Sequence, residues 1–491
     1  MSMVTIQKVN EVYIKVTSEP HVERELYELF KFHVPQSKFI NRQRKTRWDG
    51  YIHLYSLKTK QVYYGLLDKI VEWCKENNYQ VASQIDVVPL QISDHHIKGF
   101  IESLKLTKQP RDYQLEAFTD CIKSRRRLTL SPTGSGKSLL IYMLARFYLD
   151  ITDQKVLVIV PTTGLVHQMA DDFISYGFTK NVHRIVSGVT KYTADRVVVS
   201  TWQSLQNISS DWFDQFQCVL FDEAHLCKAK VLSSILQSLK SCPYRFGFTG
   251  TLDGVDVNIL TLEGLFNTQH KVISTAELIN RKQLADLDIK ILVLQYDKLV
   301  CKANKDNTYQ QEIEFIISNE NRNKFIKNLA LSLKGNTLIL YDRVEKHGEI
   351  LFNMISKQNP NTHFIHGGID GEHRNIVRQQ VELSRDAIIV ASFGVFSTGV
   401  SITNLHNIIY ASPTKSKIRN LQSIGRGLRV SEEKKTATLY DIADDISHNN
   451  KKNYTLNHLF ERVKNYNAEQ FPFKIYTIPI EYEHTNAIQT S

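Results

Sequence analysis

The sequence predicts an α/β fold with two tandem parallel-sheet domains behind a small N-terminal α/β domain. Two observations lead to this prediction. Short apolar runs alternate with helical segments over residues 108–270, and a second series of the same kind covers residues 271–445. Such alternation is typical of a parallel sheet with helices on both faces. The length of 491 residues suits three or four domains.

The apolar runs that we interpret as strands are short and have polar or turn-forming neighbours, and the segment Leu139–Leu149 is predicted to be one of the helices between them. In the first series the strands are Leu128–Leu130, Val156–Val160, Val197–Ser200, Val219–Phe221 and Phe246–Phe248. In the second series they are Ile291–Leu294, Leu338–Tyr341, His363–Ile365, Ala387–Val390, Ile408–Tyr410 and Ala437–Tyr440.

The regions outside the two series are predicted separately. Residues 1–90 are expected to form the N-terminal domain, with strands at Val12–Val16 and Tyr51–Leu57 and a helix over Leu66–Cys74. Residues 91–107 are expected to be a connector, and residues 446–491 a helical tail.

Composition and charge narrow the class of protein. Hydrophobic residues make up 42% and charged residues 23%, as in ordinary globular proteins. No apolar run approaches the roughly 20 residues that span a bilayer, and none of the six cysteines forms a CxxC pair that would indicate zinc. We therefore expect a cytoplasmic protein. The net charge of +10 suits a nucleic-acid partner, although a merely basic enzyme has the same charge.

A glycine-rich loop after the first strand of the first series predicts a nucleotide site. The segment Ser131–Ser138 reads SPTGSGKS and opens a helix, so its backbone N–H groups can bind phosphate oxygens. Lys137 would reach the β- and γ-phosphates of ATP, and Ser138 would hold Mg²⁺. The strict pattern has glycine where this chain has Ser131, and a simple turn is the alternative. The residues expected to bind the nucleotide are Pro132, Thr133, Gly134, Ser135, Gly136, Lys137 and Ser138.

An acidic pair follows another predicted strand. Asp222 and Glu223 stand in the sequence DEAH after Val219–Phe221, at the edge where a carboxylate can approach bound phosphates. Asp222 would bind Mg²⁺, and Glu223 would orient and deprotonate the attacking water. Alone the four residues are a weak signal, but the pair lies 85 positions after Lys137 and the combination is much stronger.

These motifs together resemble superfamily 2 helicases, which have two RecA-like motor domains. The resemblance implies that Arg111, Tyr113 and Gln114 recognise adenine, although an exposed helix start is the alternative. In QSIGRGLR, Arg426 and Arg429 share one helix face and would supply positive charge to the γ-phosphate; a solvated basic face is the alternative. Residues implied to couple hydrolysis to movement are His225, Thr249, Thr251 and Gln422.

The same resemblance implies contacts with the nucleic-acid backbone. Small hydroxyl residues and backbone N–H groups at strand ends suit phosphate oxygens, although each segment could be an ordinary loop. The family often has aspartate where this chain has Ser401, so a ribose contact there is not implied. The implied contact residues are Pro161, Thr162, Thr163, Thr201, Trp202, His366, Gly367, Ser392 and Thr398.

Residues 38–47, here called the basic loop, contain five basic side chains and no acidic one. This charge and the adjacent Trp48 suit phosphate binding with stacking or wedging, whereas packing of Trp48 into the domain is the alternative. The residues expected to contact DNA are Arg42, Arg44, Lys45, Arg47 and Trp48.

The arrangement over nearly the whole chain resembles the phage UvsW-type helicases, through the basic loop followed by Trp48–Gly50, the SPTGSGKS loop and the segment ASFGVFSTGVSITNLHNII. The resemblance implies an ATP- and Mg²⁺-dependent helicase or translocase that moves 3′ to 5′ on branched DNA, including Holliday junctions, forks and R-loops with their RNA–DNA hybrid. The alternatives are an RNA helicase, a duplex translocase of a restriction or repair complex, and a nucleotide-switched binding protein without turnover.

Overall fold

A computed structural model describes the fold of most of the chain. It describes residues 2–34, 37, 41, 48–85, 92–226, 229–250, 256–398, 402, 404–414, 416–428, 434–449 and 451–480. The chain divides into two compact units. The first unit comprises Met1–Ser131 and Gly136–Ile273, and the second comprises Ser274–Ser491 together with Pro132–Ser135.

The first unit contains the N-terminal domain and a parallel sheet. The N-terminal strands are β1 (Met3–Lys8), β2 (Tyr13–Thr17), β3 (Lys31–His33), β4 (Tyr51–His53), β5 (Gln61–Tyr63) and β6 (Gln80–Ser83). The strands that follow are β7 (Arg126–Leu130), β8 (Lys155–Val160), β9 (Val182–Ile185), β10 (Val197–Thr201), β11 (Phe216–Phe221), β12 (Tyr244–Thr249) and β13 (Gln269–Lys271). Within the described residues, the latter seven pair in the order β13-β7-β12-β11-β8-β10-β9.

Helices alternate with these strands in the first unit. They are α1 (Pro20–Leu29), α2 (Leu67–Glu76), α3 (Asp94–Ser103), α4 (Asp112–Ser124), α5 (Lys137–Ile151), α6 (Thr163–Ser175), α7 (Trp202–Leu205), α8 (Ala229–Ser238) and α9 (Asp256–Phe266). Helix α5 is buried over most of its length, and one apolar cluster joins it to α4, α6 and the sheet. This packing fixes the start of α5, where the glycine-rich loop ends.

The second unit repeats the parallel α/β plan. Its strands are β14 (Asp286–Gln295), β15 (Thr337–Tyr341), β16 (Thr362–Ile365), β17 (Ile388–Ser392), β18 (Asn407–Tyr410), β19 (Thr436–Asp445) and β20 (Phe473–Pro479), which pair in the order β16-β17-β15-β18-β19-β14-β20. Its helices are α10 (Thr275–Asn280), α11 (Lys298–Ala303), α12 (Tyr309–Ser318), α13 (Glu320–Ser332), α14 (Glu349–Ser356), α15 (Gly371–Leu383), α16 (Phe393–Thr398), α17 (Lys417–Gly427) and α18 (Tyr454–Ala468). The predicted fold class is confirmed.

The N-terminal domain is fixed to the sheet of the first unit by buried polar contacts. Arg126 at the start of β7 forms an ion pair with Glu11 and donates a hydrogen bond to the Glu11 carbonyl at 2.7 Å. The Arg126 guanidinium also lies 4.1 Å from the ring centroid of Tyr64. Further along, Lys69 pairs at 2.8 Å with Glu263, which is 3% exposed. The domain and the first sheet therefore form one compact body.

Three edge strands of the two parallel sheets are absent from the sequence prediction. Strands β9 and β13 contain polar residues, such as His183 and His270, because edge strands do not need a continuous apolar run. Strand β20 corrects the prediction of a purely helical tail: α18 is followed by a strand that pairs in parallel with β14. Pro472 precedes β20 and Pro479 is its last residue. Its partner β14 is remote in sequence, so the pairing has no local indication.

Two further features bear on the class of protein. The cysteines in the described part of the chain are free and buried: Cys74, Cys121, Cys218, Cys242 and Cys301. None of the helices that the structure describes has both the length and the apolar character required to cross a membrane.

Candidate functional site

The order of strands in the first sheet places the nucleotide motifs side by side. The glycine-rich loop follows β7, Thr249 ends β12, and Asp222 follows β11; these three strands are neighbours. Strands β8 and β10 are also neighbours, with Thr201 in register with Val160. Carboxyl ends of parallel strands meet at one edge, so the sheet arranges the nucleotide motifs and the implied strand-contact segments along the same edge.

The glycine-rich loop has the backbone that phosphate binding requires. Gly134 and Gly136 have φ values of +87° and +80°, which favour glycine. A Cβ atom on Gly136 would lie 2.3 Å from Nε2 of Gln114. Ser135 is 1% exposed and donates its hydroxyl to the Pro132 carbonyl at 2.7 Å. Gly136 is the N-cap of α5, so the helix N-terminus directs its N–H groups toward the loop.

Lys137 belongs to a closed ring of contacts with the acidic motif. Its ammonium group lies 2.8 Å from Oε1 of Glu223 and donates to the Ser131 carbonyl at 3.3 Å. Oε2 of Glu223 lies 3.4 Å from Nδ1 of His225, which also hydrogen-bonds Oγ1 of Thr249. The ring closes because the Ser131 N–H donates to the Thr249 carbonyl at 2.8 Å. The structure thus connects the predicted phosphate lysine, base and coupling residues.

The backbone at the acidic motif is strained. Glu223 has φ of +49°, a region in which a non-glycine residue costs about 1–2 kcal/mol. Its N–H donates to Oδ1 of Asp222 at 3.0 Å, and the Asp222 N–H donates to the Ile159 carbonyl at 2.8 Å. These bonds hold the turn after β11. They set the Asp222 carboxylate, 8% exposed, and the Glu223 carboxylate in fixed directions.

The donor set fits Mg²⁺ bound together with a nucleotide. Mg²⁺ prefers oxygen ligands and is usually held by one or two carboxylates plus substrate phosphates. The Asp222 carboxylate and the Ser138 hydroxyl are oxygen donors of this kind. In the structure the Ser138 hydroxyl lies 2.8 Å from the hydroxyl of Tyr176.

The residues predicted to recognise adenine surround the start of α4. Oε1 of Gln114 accepts the Arg111 N–H at 2.8 Å, and Nε2 donates to the Gly136 carbonyl at 3.1 Å. Arg111 also donates to the Tyr113 hydroxyl at 2.7 Å. Gln114 therefore connects α4 to the glycine-rich loop. Recognition of adenine through both amide atoms would require exchange of these two bonds.

The implied strand-contact residues of the first unit differ in exposure. Pro161 and Thr201 are buried, whereas Thr163 is exposed. Thr162 and Thr201 act as N-caps of α6 and α7, accepting the N–H groups of residues 165 and 204. Trp202 packs against the apolar cluster beneath the sheet. Most of these side chains shape the edge, and Thr163 is available for direct contact.

In the second unit the predicted contact residues also lie at strand ends. His366 follows β16 and accepts the Gly368 N–H at 3.1 Å, while Gly367 is exposed. Ser392 ends β17, the strand adjacent to β16.

Arg426 lies near the end of α17. The carbonyl of Gly427 accepts a hydrogen bond from the ammonium group of Lys434, and the Leu428 carbonyl accepts the Ala285 N–H at 2.8 Å. Burial lowers the pKa of Lys434 to about 7. These contacts fix the C-terminal end of the helix.

The residues that follow the basic loop form a defined turn. Gly50 has φ of +85°, and Oδ1 of Asp49 accepts the Tyr51 N–H at 3.0 Å. Nε1 of Trp48 donates to the Tyr51 carbonyl at 2.7 Å, and the ring is partly buried. The sequence Trp-Asp-Gly therefore has a structural explanation, and the stacking role of Trp48 stays a prediction.

Several predicted residues lie outside the described part of the chain, namely Arg42, Arg44, Lys45, Arg47, Thr251 and Arg429. Thr398 and Gln422 lie within helices, but their side chains are outside the described set. The departure at Ser401 is outside it too.

Tyr176 contacts Ser138 but has no signal in the sequence, because the contact forms between elements that only the fold brings together. Gln203, in the predicted strand-contact segment Ser200–Gln203, donates to the Pro161 carbonyl at 3.2 Å and so joins the two strand-contact segments.

Three parts of the chain match known protein families. Residues 4–86 match the family described as the N-terminal domain of DNA helicase UvsW. Residues 107–254 match the res subunit of type III restriction enzymes, and residues 320–431 match the helicase conserved C-terminal domain.

Individual relatives agree with these matches. The chain is 34% identical to the ATP-dependent DNA helicase UvsW of Enterobacteria phage T4, over 95% of this chain and 97% of the relative. It is 24% identical to a DNA 3′-5′ translocase of Sulfurisphaera tokodaii, over 81% of this chain and 92% of the relative. The crystal structure of T4 UvsW matches with a TM-score of 0.52 at 31% identity, over 97% of this chain and 100% of that one.

Proposed function

This chain belongs to the UvsW-type helicases of superfamily 2 and is an ATP-dependent helicase, and from that premise we propose that it unwinds or branch-migrates branched DNA. The proposed substrates are Holliday junctions, forks and R-loops, in recombination, replication or repair, with 3′-to-5′ movement. The branched-DNA substrate is supported by the resemblance to DNA helicase UvsW over 95% of the chain. The ring of contacts from Lys137 through Glu223 and His225 to Thr249 supports ATP-driven movement, because it joins the nucleotide site to the coupling motif.

We propose the following division of roles at the nucleotide site. Lys137 binds the β- and γ-phosphates, and Glu223 accepts the proton of the water that attacks the γ-phosphate. Ser138 and Asp222 would hold Mg²⁺, which neutralises phosphate charge when bound. His225 and Thr249 connect Glu223 to the end of β12, so that a displacement of Glu223 also displaces the coupling motif. Their burial supports this role, since Thr249 has no exposed surface.

Other roles extend the proposal beyond this ring. Gln114, Arg111 and Tyr113 form the adenine side of the site. Arg426 and Arg429 add positive charge near the γ-phosphate in the transition state, with Gln422 and Thr251 assisting coupling.

The strand-contact segments bind the DNA backbone without reading its sequence, through exposed groups such as Thr163 and Gly367. The basic loop adds affinity for the duplex arms of a branch.

We propose the same domain boundaries as the sequence predicts, with one addition. Residues 1–90 are the DNA-binding N-terminal domain, residues 91–107 the connector, and residues 108–270 and 271–445 the two motor domains. The tail, residues 446–491, contributes α18 and strand β20 of the second sheet.

A substrate panel tests the proposed function. The ATPase rate of the full chain is measured with four-way, forked, R-loop and single-stranded DNA and with single-stranded RNA, and strand separation is followed on each branched DNA. We expect the largest stimulation by branched DNA. Preference for single-stranded RNA would support the RNA helicase instead, and absence of turnover on every substrate would support the nucleotide-switched binding protein. Lys137→Ala is the control, since loss of the ammonium group should abolish hydrolysis.

A further inference from the structure

A tyrosine contacts the hydroxyl group that is proposed to hold the metal ion. The hydroxyl oxygens of Ser138 and Tyr176 are 2.8 Å apart. Ser138 is the second residue of α5, and Tyr176 follows directly after α6. The two residues are 38 positions apart in the sequence, so the packing of α5 and α6 is what brings them together.

Tyr176 is fixed in this position from several sides. It is 6% exposed, and its N–H donates to the Asp172 carbonyl at 2.9 Å. Its ring lies 5.5 Å from the ring of Tyr142, one turn after Ser138 in α5. The ammonium group of Lys108 lies 5.9 Å from the ring centroid. A side chain held in this way can direct its hydroxyl toward one partner.

The hydroxyl of Ser138 needs a hydrogen-bond acceptor when its oxygen binds a cation. A hydroxyl has one proton to donate and two lone pairs. When its oxygen is a ligand of a cation, its proton has to point away from the cation, toward an acceptor. A tyrosine phenol is neutral at physiological pH, and its oxygen can accept the Ser138 proton.

We propose that Tyr176 is a positioning residue for the metal–nucleotide complex, accepting the hydrogen bond of Ser138 and thereby directing a lone pair of the Ser138 oxygen toward the cation. The inference rests on the proposed role of Ser138 in holding Mg²⁺. It adds a residue outside the sequence motifs, and it predicts an effect on metal affinity that is separate from nucleotide binding itself.

The test measures binding, not turnover. A fluorescent ATP analogue is titrated against the full chain in EDTA and at a series of Mg²⁺ concentrations. The Mg²⁺ requirement is the Mg²⁺ concentration at which the affinity for the analogue has risen halfway to its maximum. In Tyr176→Phe we expect this requirement to rise about 3- to 10-fold, the range for loss of one hydrogen bond. Affinity in EDTA should be unchanged. Tyr142→Phe is the matched control: it removes another buried hydroxyl of the same cluster, one that accepts from Arg146 at 2.8 Å.

A double-mutant cycle distinguishes the possible failures. In Ser138→Ala the Mg²⁺ requirement should rise, and adding Tyr176→Phe should raise it no further. An unchanged or lower requirement in Tyr176→Phe would overturn the inference while leaving the role of Ser138 intact. Equal losses with and without Mg²⁺ would also overturn it, because they indicate a merely structural role. If Ser138→Ala itself has no effect on the requirement, the proposed metal role of Ser138 is wrong, and the inference with it.

Discussion

Replacing Glu223 by glutamine should strengthen ATP binding as well as slow hydrolysis. In the structure the Lys137 ammonium group is 2.8 Å from the Glu223 carboxylate, and the two side chains are only 12% and 16% exposed. Phosphate oxygens of ATP would compete with this carboxylate for Lys137. Weakening the Lys137–Glu223 pair therefore raises the affinity for ATP. Removal of the negative charge near the γ-phosphate raises it further.

The magnitude follows from the type of bond that is changed. A hydrogen bond between charged groups contributes about 1.5–3 kcal/mol, whereas one with a neutral acceptor contributes about 1 kcal/mol. Glutamine keeps the shape and the weaker bond, so the difference is about 1 kcal/mol, or about 5-fold in affinity. Hydrolysis should fall by about 10²–10⁴-fold, because the amide cannot accept the proton of the water.

Equilibrium titration with a fluorescent ATP analogue in EDTA measures the affinity without turnover. Asp171→Asn is the matched control, since it removes one carboxylate from an exposed pair with Arg184 and changes the net charge equally. We expect tighter binding only in Glu223→Gln. Equal affinities in the two variants, or weaker binding in Glu223→Gln, would show that Glu223 does not compete with phosphate for Lys137.

Four further variants test the docking of the N-terminal domain, the basic loop and the two arginines of the second unit. Arg126→Ala should lower the free energy of unfolding of the first unit by about 3 kcal/mol, the lower end for breaking a buried ion pair, because Glu11 is partly exposed; an unchanged denaturation midpoint would contradict this. Replacing the four basic residues at positions 42, 44, 45 and 47 by alanine should weaken binding to four-way DNA. It should also reduce the slope of log binding constant against log salt concentration by up to about 0.9 per lost phosphate contact. An unchanged slope in a folded variant would exclude the basic loop from the DNA-binding surface. Arg429→Ala should lower kcat by about 10³-fold with nucleotide affinity retained, and Arg426→Ala should act in the same direction; an effect confined to KM would indicate ground-state binding instead.

The parts of the fold that sequence predicts are those with local signals. A buried parallel strand is a short apolar run, so strands such as β8 and β15 were predicted nearly to their ends. The glycine-rich loop was predicted because positive φ values require glycine at particular positions, as at Gly134 and Gly136. The family resemblance that these motifs carry is confirmed by the T4 relative.

What could not be predicted depends on partners that are remote in sequence. Arg126 and Glu11 are separated by 115 positions, and nothing in either neighbourhood indicates the pair. Glu223 adopts positive φ although glutamate has no preference for it, because the turn after β11 imposes that conformation. The same holds for Tyr176, whose neighbours in sequence say nothing about Ser138.

The docking of the N-terminal domain has a consequence for the order of events during synthesis. Glu11 and Tyr64 leave the ribosome early, whereas Arg126 follows later and Glu263 in α9 later still. At about 5–20 residues per second, the interval between Glu11 and Glu263 is on the order of 10–50 s. The domain has its own apolar core, including Val4. The face that contacts α9, however, stays exposed on the nascent chain until α9 has been synthesised. Docking of the N-terminal domain is therefore completed only after synthesis of α9.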